Sequence, residues 1–208
     1  MNNIKLEAPM MIDHFRFNLL YLTFLLCIGV GIAQETIVDW SPDTSLKLED
    51  FKSPQTKIND RLNSIFLQSG VQIDMAFQMS NITFMFTKNF NSKITCSFHK
   101  DAASLMAPDS VKAQQLVRLT QFDFDLSELY TRKIRKQLYE NKKAFSNVSF
   151  FQPYFDKMIA ERNQVSSETY EASDFGNDSN YLEEKHAQVK REIQQLKDYC
   201  KECKPSKK

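Results

Sequence analysis

Apolar side chains recur at nearly every second position between Ile65 and Met79, and polar residues such as Gln72 and Asp74 fall between them. An alternation of period two is typical of a β-strand with one buried face. Gly70 lies inside this run and fits a bulge within one long strand. A competing helical spacing covers only the beginning of the run, so we expect any helix here to end before residue 64.

Two shorter alternating runs follow, separated by polar residues. Their apolar positions are Ile82, Phe84 and Phe86 in the first run and Ile94, Cys96 and Phe98 in the second. Together with the preceding strand they predict an antiparallel meander of three strands. The strand residues expected on one face of the core are Phe77, Phe84, Phe86 and Phe98. The segments Ile37–Trp40 and Leu46–Leu48 are expected to add edge strands.

After Asp109 the spacing of apolar residues changes from that of a strand to that of a helix. The positions that recur at this spacing are Leu116, Leu119, Phe122, Leu126, Leu129 or Tyr130, Lys133 or Ile134, and Leu138. They predict a long helix that ends near Lys143. Two further helices are predicted over Tyr154–Asn163 and Tyr181–Tyr199, and the polar segment Ser166–Ser179 between them is expected to be a loop.

The order of strands first and helices afterwards predicts one α+β domain over residues 34–199, followed by a Cys- and Lys-rich tail at 200–208. The 208 residues carry 27 basic and 26 acidic side chains, a net charge of +1. This balance lacks the basic excess that nucleic-acid binding requires, so no nucleic-acid partner is expected. With only four glycines, glycine-rich phosphate loops are excluded as well.

An uncharged, mostly apolar segment at residues 19–32 follows Arg16, which is the pattern of a secretory signal peptide. The segment is shorter than the roughly 20 residues that cross a bilayer. Gly31 and Ala33 supply small residues before a cut at Gln34. We therefore expect residues 1–33 to be removed, and the mature chain to have no integral membrane span and to reach the periplasm or the extracellular space.

An uncleaved N-terminal membrane anchor is the alternative, because Phe15 and Phe17 extend the apolar stretch. Translation has three candidate starts, at Met1, Met10 and Met11. The sequence leaves both questions open.

The helix segment at residues 116–136 reads LVRLTQFDFDLSELYTRKIRK. It closely resembles a pattern that runs approximately L-L-x-H-E-Q-x-H-F-D-I-A-E-x-Y-A-R-K-L-R. That pattern belongs to a family of secreted bacterial proteins catalogued as domain of unknown function 922 and often described as Zn-dependent proteases. The resemblance implies a zincin-like α+β fold.

Four other segments are similar to landmarks of the same family. Residues 46–52 (LKLEDFK) resemble L-x-W-x-D-F-K, residues 69–71 (SGV) resemble S-G-I, residues 98–108 resemble F-D-x-x-x-S-W-x-x-P with one extra residue, and residues 170–171 (YE) resemble the start of Y-D-x-x-T-x-H-G. The resemblance thus touches most of residues 40–195.

The zinc motif itself is missing. In an HExxH helix two histidines one turn apart bind Zn²⁺ and the glutamate activates the bound water. Here Leu119, Thr120 and Asp123 occupy the positions of the first histidine, the glutamate and the second histidine. The later family histidine falls at Phe175 or Gly176. The mature chain is left with His99 and His186, so no register restores a two-histidine site.

The resemblance therefore implies a catalytically inactive relative of Zn-dependent proteases, without a cofactor, whose former cleft serves as a binding or structural surface for an unknown peptide or envelope protein. The alternative is a residual metal-dependent hydrolase with a ligand set built on Asp123 and His99, with Asp125 and Glu128 nearby. We favour structural roles for Asp125 and Glu128, with bonds to neighbouring elements or to Arg132. His186 lies among charged residues and is expected on a solvated helix face.

Signal cleavage leaves three cysteines: Cys96, Cys200 and Cys203. A CxxC at the end of a chain lacks the context of a redox motif or a zinc site. We expect a structural disulfide, either local or from one of the pair to Cys96. The remaining thiol is then available for a disulfide that links two chains in a dimer. The lysines of the tail are expected to be solvated.

Overall fold

The computed structural model describes residues 36–76, 80–143, 146 and 148–205. The predicted signal peptide, Phe77, Lys207 and Lys208 lie outside these ranges. The described residues all belong to one compact unit, Thr36–Lys208.

The described strands form two sheets of three strands each. The strands are β1 (Ile37–Asp39), β2 (Lys57–Ile58), β3 (Phe66–Gln68), β4 (Val71–Met75), β5 (Ile94–His99) and β6 (Ser104–Ala107). In the first sheet β5 lies between β1 and β4 and is antiparallel to both. In the second, β6 pairs in parallel with β2 and antiparallel with β3. The prediction of an edge strand at Ile37 is confirmed.

Gly70 separates β3 from β4, so the prediction of one long strand over residues 65–79 is wrong. The chain leaves the second sheet and enters the first at this residue, whose φ is +66°. The Gly70 carbonyl accepts the His99 amide at 2.9 Å. A Cβ at this position would lie 2.7 Å from the His99 oxygen and 2.8 Å from the Ala103 Cβ. Only glycine allows both the conformation and this close approach.

The segment after β4 is a short helix, α1 (Asn81–Phe86), and not the predicted strand. The Ser80 hydroxyl caps it by accepting the Thr83 amide at 3.1 Å. The helical twist buries Phe84 and turns Phe86 out to solvent, so the prediction that both line the core fails for Phe86. A three-strand meander is therefore wrong, although β4 and β5 do pair. Six residues are too few to distinguish the period of a strand from that of a helix.

Leu46–Leu48 forms no strand within the described chain. Leu46 is buried in a loop, and a 3-10 turn occupies Leu48–Asp50. The amide of Leu46 donates to the Gln121 side-chain oxygen at 2.8 Å, which satisfies the loop backbone without a strand partner.

Three further helices follow: α2 (Ser110–Asn141), α3 (Gln152–Ala172) and α4 (Ser179–Gln195). The predicted long helix is confirmed, and Asp109 caps it by accepting the Lys112 amide at 2.7 Å. The prediction of a loop over residues 166–179 is wrong for its first half, because α3 continues to Ala172. Ser166 and Thr169 are buried, and burial on this face outweighs the weak helical preference of a polar segment.

The long helix α2 is the centre of the fold, buried between the sheets on one side and α3 and α4 on the other. Two apolar clusters surround it. The larger includes Phe84, Phe90, Leu119, Phe122, Leu126, Phe151 and Ile193, and the smaller includes Phe51, Phe98, Leu105, Leu116 and Phe124. This architecture is mixed α+β, as predicted. None of the helices in the described ranges combines the length and apolarity of a bilayer span.

Replacing Gly70 by alanine is expected to lower the free energy of unfolding by about 2–4 kcal/mol, because the left-handed conformation and the crowding both add cost. Urea denaturation measures this. Gly176→Ala is the matched control: φ there is +81°, but the nearest atom to a new Cβ is the Gln115 oxygen at 3.2 Å. We expect a loss of only about 1–2 kcal/mol for the control. Equal losses would show that the close approach at Gly70 contributes nothing.

Candidate functional site

The middle of α2 carries charged side chains that are almost fully buried. They are Asp123, Asp125, Glu128, Arg132 and Arg135, each no more than 5% exposed. A charged group removed from water is tolerated only with partners of opposite charge or hydrogen bonds. In this helix every one of the five has such a partner, and most of these partners come from other parts of the chain.

Asp123 is neutralised by an arginine from α3. Its carboxylate forms an ion pair with Arg162 and accepts the Ser166 hydroxyl at 2.7 Å. Arg162 Nε also donates to the Ser127 hydroxyl at 3.1 Å. Burial, and then the negative charge of Asp123, raise the pKa of Tyr170 well above its usual value. The carboxylate at the second zinc-ligand position of the resembled motif is thus fully engaged by protein groups.

Asp125 faces a different direction, as expected for two residues that are two apart on a helix. It accepts the Trp40 indole N–H at 2.7 Å and pairs with His186 Nε2 from α4. The His186 ring packs edge-on against Phe122 with centroids 6.1 Å apart. The expectation that His186 lies on a solvated helix face is therefore wrong: its side chain is 20% exposed and directed at α2.

Glu128 lies between two arginines. It accepts Arg132 Nε at 2.7 Å and Arg135 Nη1 at 3.3 Å, so the predicted pairing with Arg132 is confirmed. Burial lowers the pKa of Arg135, and the charge of Glu128 opposes that shift. The two guanidinium groups extend the network beyond α2.

The arginines tie α2 to a strand and to the end of the chain. Arg135 donates to the Ile94 carbonyl of β5 at 2.6 and 3.1 Å and to the Tyr199 carbonyl at 3.0 Å. Arg132 donates to the Ile193 carbonyl at 3.0 Å, near the end of α4. The Ile193 carbonyl also accepts the Leu196 amide at 3.1 Å, so Arg132 adds a second bond at the end of α4.

The other two positions of the resembled zinc motif are packing positions. Leu119 is completely buried in the larger apolar cluster, as expected for a filled site. Thr120 is also completely buried, and its hydroxyl donates to the Leu116 carbonyl at 2.9 Å. Neither side chain is free to reach a substrate.

His99 and the later histidine positions add no ligand set. His99 Nε2 contacts the Ser97 hydroxyl at 3.1 Å, at the end of β5. Phe175 and Gly176 lie in the turn between α3 and α4 with φ of +50° and +81°. Within the described ranges, no group of three or more His, Cys, Asp or Glu side chains is placed to hold a metal ion.

The disulfide is the local one, Cys200–Cys203, with Cα atoms 5.0 Å apart. The carbonyl of Cys203 accepts the Asn89 and Asn91 side-chain amides, each at 3.0 Å. Cys96 is a free and buried thiol, and burial raises its pKa well above the usual value. A disulfide-linked dimer through Cys96 would therefore require the folded domain to open.

The basic tail makes one exposed ion pair in its described part, between Lys201 and Asp39 at 2.6 Å. Such a pair is worth little in water. The buried bonds of Arg132 and Arg135 to the adjoining segment hold the end of the chain more firmly.

A groove of about 300 Å³ lies between β4 and α3. Its lining includes Val71, Ile73, Asp74, Ser127, Phe155, Ile159, Arg162 and Asn163. Arg162 therefore borders the groove and binds Asp123 at the same time. Through this arginine the groove reaches the second zinc-ligand position of the resembled motif.

The strand that borders the groove has an unpaired edge within the described chain, since β4 is the outer strand of its sheet. The carbonyl of Gly70 and the amide of Ala76 bond to β5 and to the residue before it, both at 2.9 Å. In an antiparallel ladder the backbone N–H and C=O groups of the even-numbered residues between them then point toward β5. The backbone N–H and C=O groups of Val71, Ile73 and Met75 consequently point away from the sheet.

Sequence reasoning missed Trp40, Arg162, Ser166 and His186 as partners of the buried carboxylates. No motif marks them. The available signal was indirect: acidic residues in a helix predicted to be central require partners, but the sequence does not say which residues supply them.

Comparison of the chain with protein-family models, with curated proteins and with solved structures finds no match in any of the three. The relationship to domain of unknown function 922 therefore stays a prediction from the resemblance.

Glu128→Gln is expected to destabilise the fold by about 3–5 kcal/mol, because it leaves two buried arginines without a counter-charge. Chemical denaturation measures the loss. The matched control is Glu161→Gln, which breaks an exposed ion pair to Lys157 of 3.8 Å and should cost less than about 0.5 kcal/mol. Indistinguishable stabilities would mean that the buried network does not hold the fold together.

Proposed function

We propose that the chain is an exported, zincin-like domain that binds an extended peptide segment without cleaving it. The observation that carries the proposal is the open edge of β4 beside a groove that ends at the Asp123–Arg162 pair. The intact flanks of the resembled motif support a common ancestry with metalloproteases, and the altered centre supports the loss of their chemistry.

The proposed loss of metal-dependent chemistry follows from the charges around Asp123. In an active relative a metal ion would supply positive charge beside the second ligand position. Here the Arg162 guanidinium supplies that charge to Asp123, and Ser166 satisfies a carboxylate oxygen. A guanidinium offers neither an open coordination position nor an activated water. The site is thereby suited to binding and not to hydrolysis.

An extended peptide fits the groove by adding a strand to β4. The Val71 N–H already donates to the Ser69 hydroxyl at 3.5 Å. The outward C=O of Val71 and the outward N–H and C=O groups of Ile73 and Met75 supply backbone bonds of the kind used in strand addition. Phe155 and Ile159 form an apolar wall for every second side chain of the peptide. The backbone bonds contribute affinity, and the wall contributes selectivity for apolar side chains.

The signal-like segment at residues 19–32 supports action outside the cytoplasm, where the partner would be a peptide or an unstructured segment of an envelope protein. The alternative, a residual metal-dependent hydrolase built on Asp123 and His99, requires Asp123 to exchange Arg162 for a metal. In the described structure His99 bonds to Ser97, which gives that exchange no support.

Selection from a library of displayed extended peptides, with the chain starting at Gln34 as bait, is expected to yield binders with apolar residues at alternate positions. Ile159→Glu should weaken their binding tenfold or more because it places a charge on the apolar wall. Ile58→Glu is the control, since Ile58 is 42% exposed on the second sheet, and it should leave affinity unchanged. Isothermal calorimetry measures both.

Binding should persist in the presence of a chelator, and the peptide should be recovered intact. A library that yields no binder above background contradicts the proposal. Peptide cleavage that stops with chelator would establish the hydrolase alternative instead.

A further inference from the structure

A pocket of about 210 Å³ lies between α2, α3 and α4. The helices α3 and α4 each pack along α2 but contact each other little, which leaves this space between them. Its apolar lining belongs to the larger cluster and consists of Phe122, Leu126, Leu129, Val165 and Val189. Spaces between the helices of a bundle, with an apolar lining and a few polar groups, are a common setting for small-molecule sites.

Two hydroxyl groups of almost fully buried residues border the pocket. Tyr130 of α2 is 5% exposed and Thr169 of α3 is 2% exposed. Other buried hydroxyls, such as those of Ser127 and Thr131, donate to the carbonyl four residues earlier. The hydroxyls of Tyr130 and Thr169 make no hydrogen bond within the described part of the chain, and neither is among its fully enclosed unbonded atoms. Both are therefore open to a hydrogen bond with a molecule in the pocket.

The Tyr130 hydroxyl is a hydrogen-bond donor at neutral pH. Burial, and then the negative charges of Glu161, Glu192 and Glu168, raise its pKa above the usual value. The group therefore stays protonated and can donate to an oxygen of a bound molecule. The Thr169 hydroxyl can donate or accept.

The charges around the pocket are balanced. Two lysines and two glutamates border it: Lys133, Lys185, Glu168 and Glu192. Lys133 pairs with Glu192 at 3.3 Å, and Glu168 accepts the Gln164 side-chain amide at 2.9 Å. A charged ligand would lose its water without meeting a surplus of opposite charge, which is costly. An uncharged ligand avoids that cost.

We propose that this pocket binds a small, uncharged and largely apolar molecule of one or two rings that hydrogen-bonds to Tyr130 or Thr169. An apolar cavity of about 150 Å³ holds benzene, so a volume of about 210 Å³ admits a somewhat larger ring system. The apolar lining supplies affinity, and the two hydroxyls orient the ligand. The site is separate from the peptide groove between β4 and α3 and does not depend on it.

The size of the pocket and the charges around it favour a small molecule over a protein partner. A stable protein interface buries about 800 Å² on each side, and its core is depleted of charged residues. Here four charged side chains surround an apolar space that a single ring system fills.

The test is titration of the chain starting at Gln34 with 2-naphthol, followed by isothermal calorimetry and by the shifts of amide resonances in NMR spectra. We expect a dissociation constant below about 1 mM, with shifts concentrated in α2, α3 and α4. The probe 2-naphthoate has the same rings with a carboxylate in place of the hydroxyl. It should bind at least tenfold more weakly, because its charge has no partner in the pocket.

Val165→Trp should fill the pocket and lower the affinity for 2-naphthol at least tenfold. Val111→Trp is the matched control, because Val111 is 68% exposed at the start of α2, and it should leave the affinity unchanged. Tyr130→Phe should lower the affinity for 2-naphthol about threefold to tenfold and leave that for naphthalene, which lacks a hydroxyl, unchanged. Circular dichroism and thermal melting establish that each variant is folded.

Three results would overturn the proposal: no resonance shifts in the three helices with 1 mM 2-naphthol, equal affinities for 2-naphthol and 2-naphthoate, or equal binding by a folded Val165→Trp variant. Light scattering that detects a dimer in the unmodified chain and none in Val165→Trp, with no binding of 2-naphthol, would also overturn it and assign the pocket to a second copy of the chain.

Discussion

The burial of charge in the middle of α2 is the constraint on which the rest of this structure depends. A helix that is covered on nearly all sides carries three carboxylates and two arginines away from water, and each of them must be paired. Glu128 with its two arginines joins α2 to β5 and to the end of α4, Asp123 joins it to α3, and Asp125 joins it to Trp40 and α4. The first sheet and both later helices are therefore positioned by bonds to the same helix.

The same network decides what the site can do. A carboxylate that is paired with arginine and bonded to a serine hydroxyl is neither a free base nor an available metal ligand. Leu119 and Thr120 are sealed inside the protein. What stays accessible is the groove beside β4, where Arg162 meets an apolar wall and an unpaired strand edge. These features are the support for the proposed recognition of an extended chain.

Much of the fold could be predicted from periodicity, and the failures have physical causes. The stripe over Leu116–Leu138 is long enough to define one helix, whereas the six residues of α1 fit two periods equally well. The prediction of a bulge at Gly70 is wrong, because whether a strand bulges or changes sheets depends on the distant Ala103 and His99. The polar composition of residues 166–172 predicts a loop. The segment is helical because packing against α2 buries Ser166 and Thr169.

For the candidate site, the sequence predicted the pairing of Glu128 with Arg132, which is local because the two residues are one turn apart. It did not predict that Arg162 and His186 would reach Asp123 and Asp125, because those contacts join residues 39 and 61 positions apart. Pairings over such separations are set by how the helices pack, and no short pattern encodes them.

The central claim is that protein side chains, and not a metal ion, satisfy the buried carboxylates in the part of α2 that resembles a zinc motif. It is tested most directly by elemental analysis of the chain starting at Gln34, purified without a metal-binding tag and dialysed against zinc. We predict far less than one zinc per chain. Zinc close to one per chain would contradict the claim. If that zinc were lost in the Asp123→Ala variant, the ion would be bound at α2, where we expect only ion pairs between side chains.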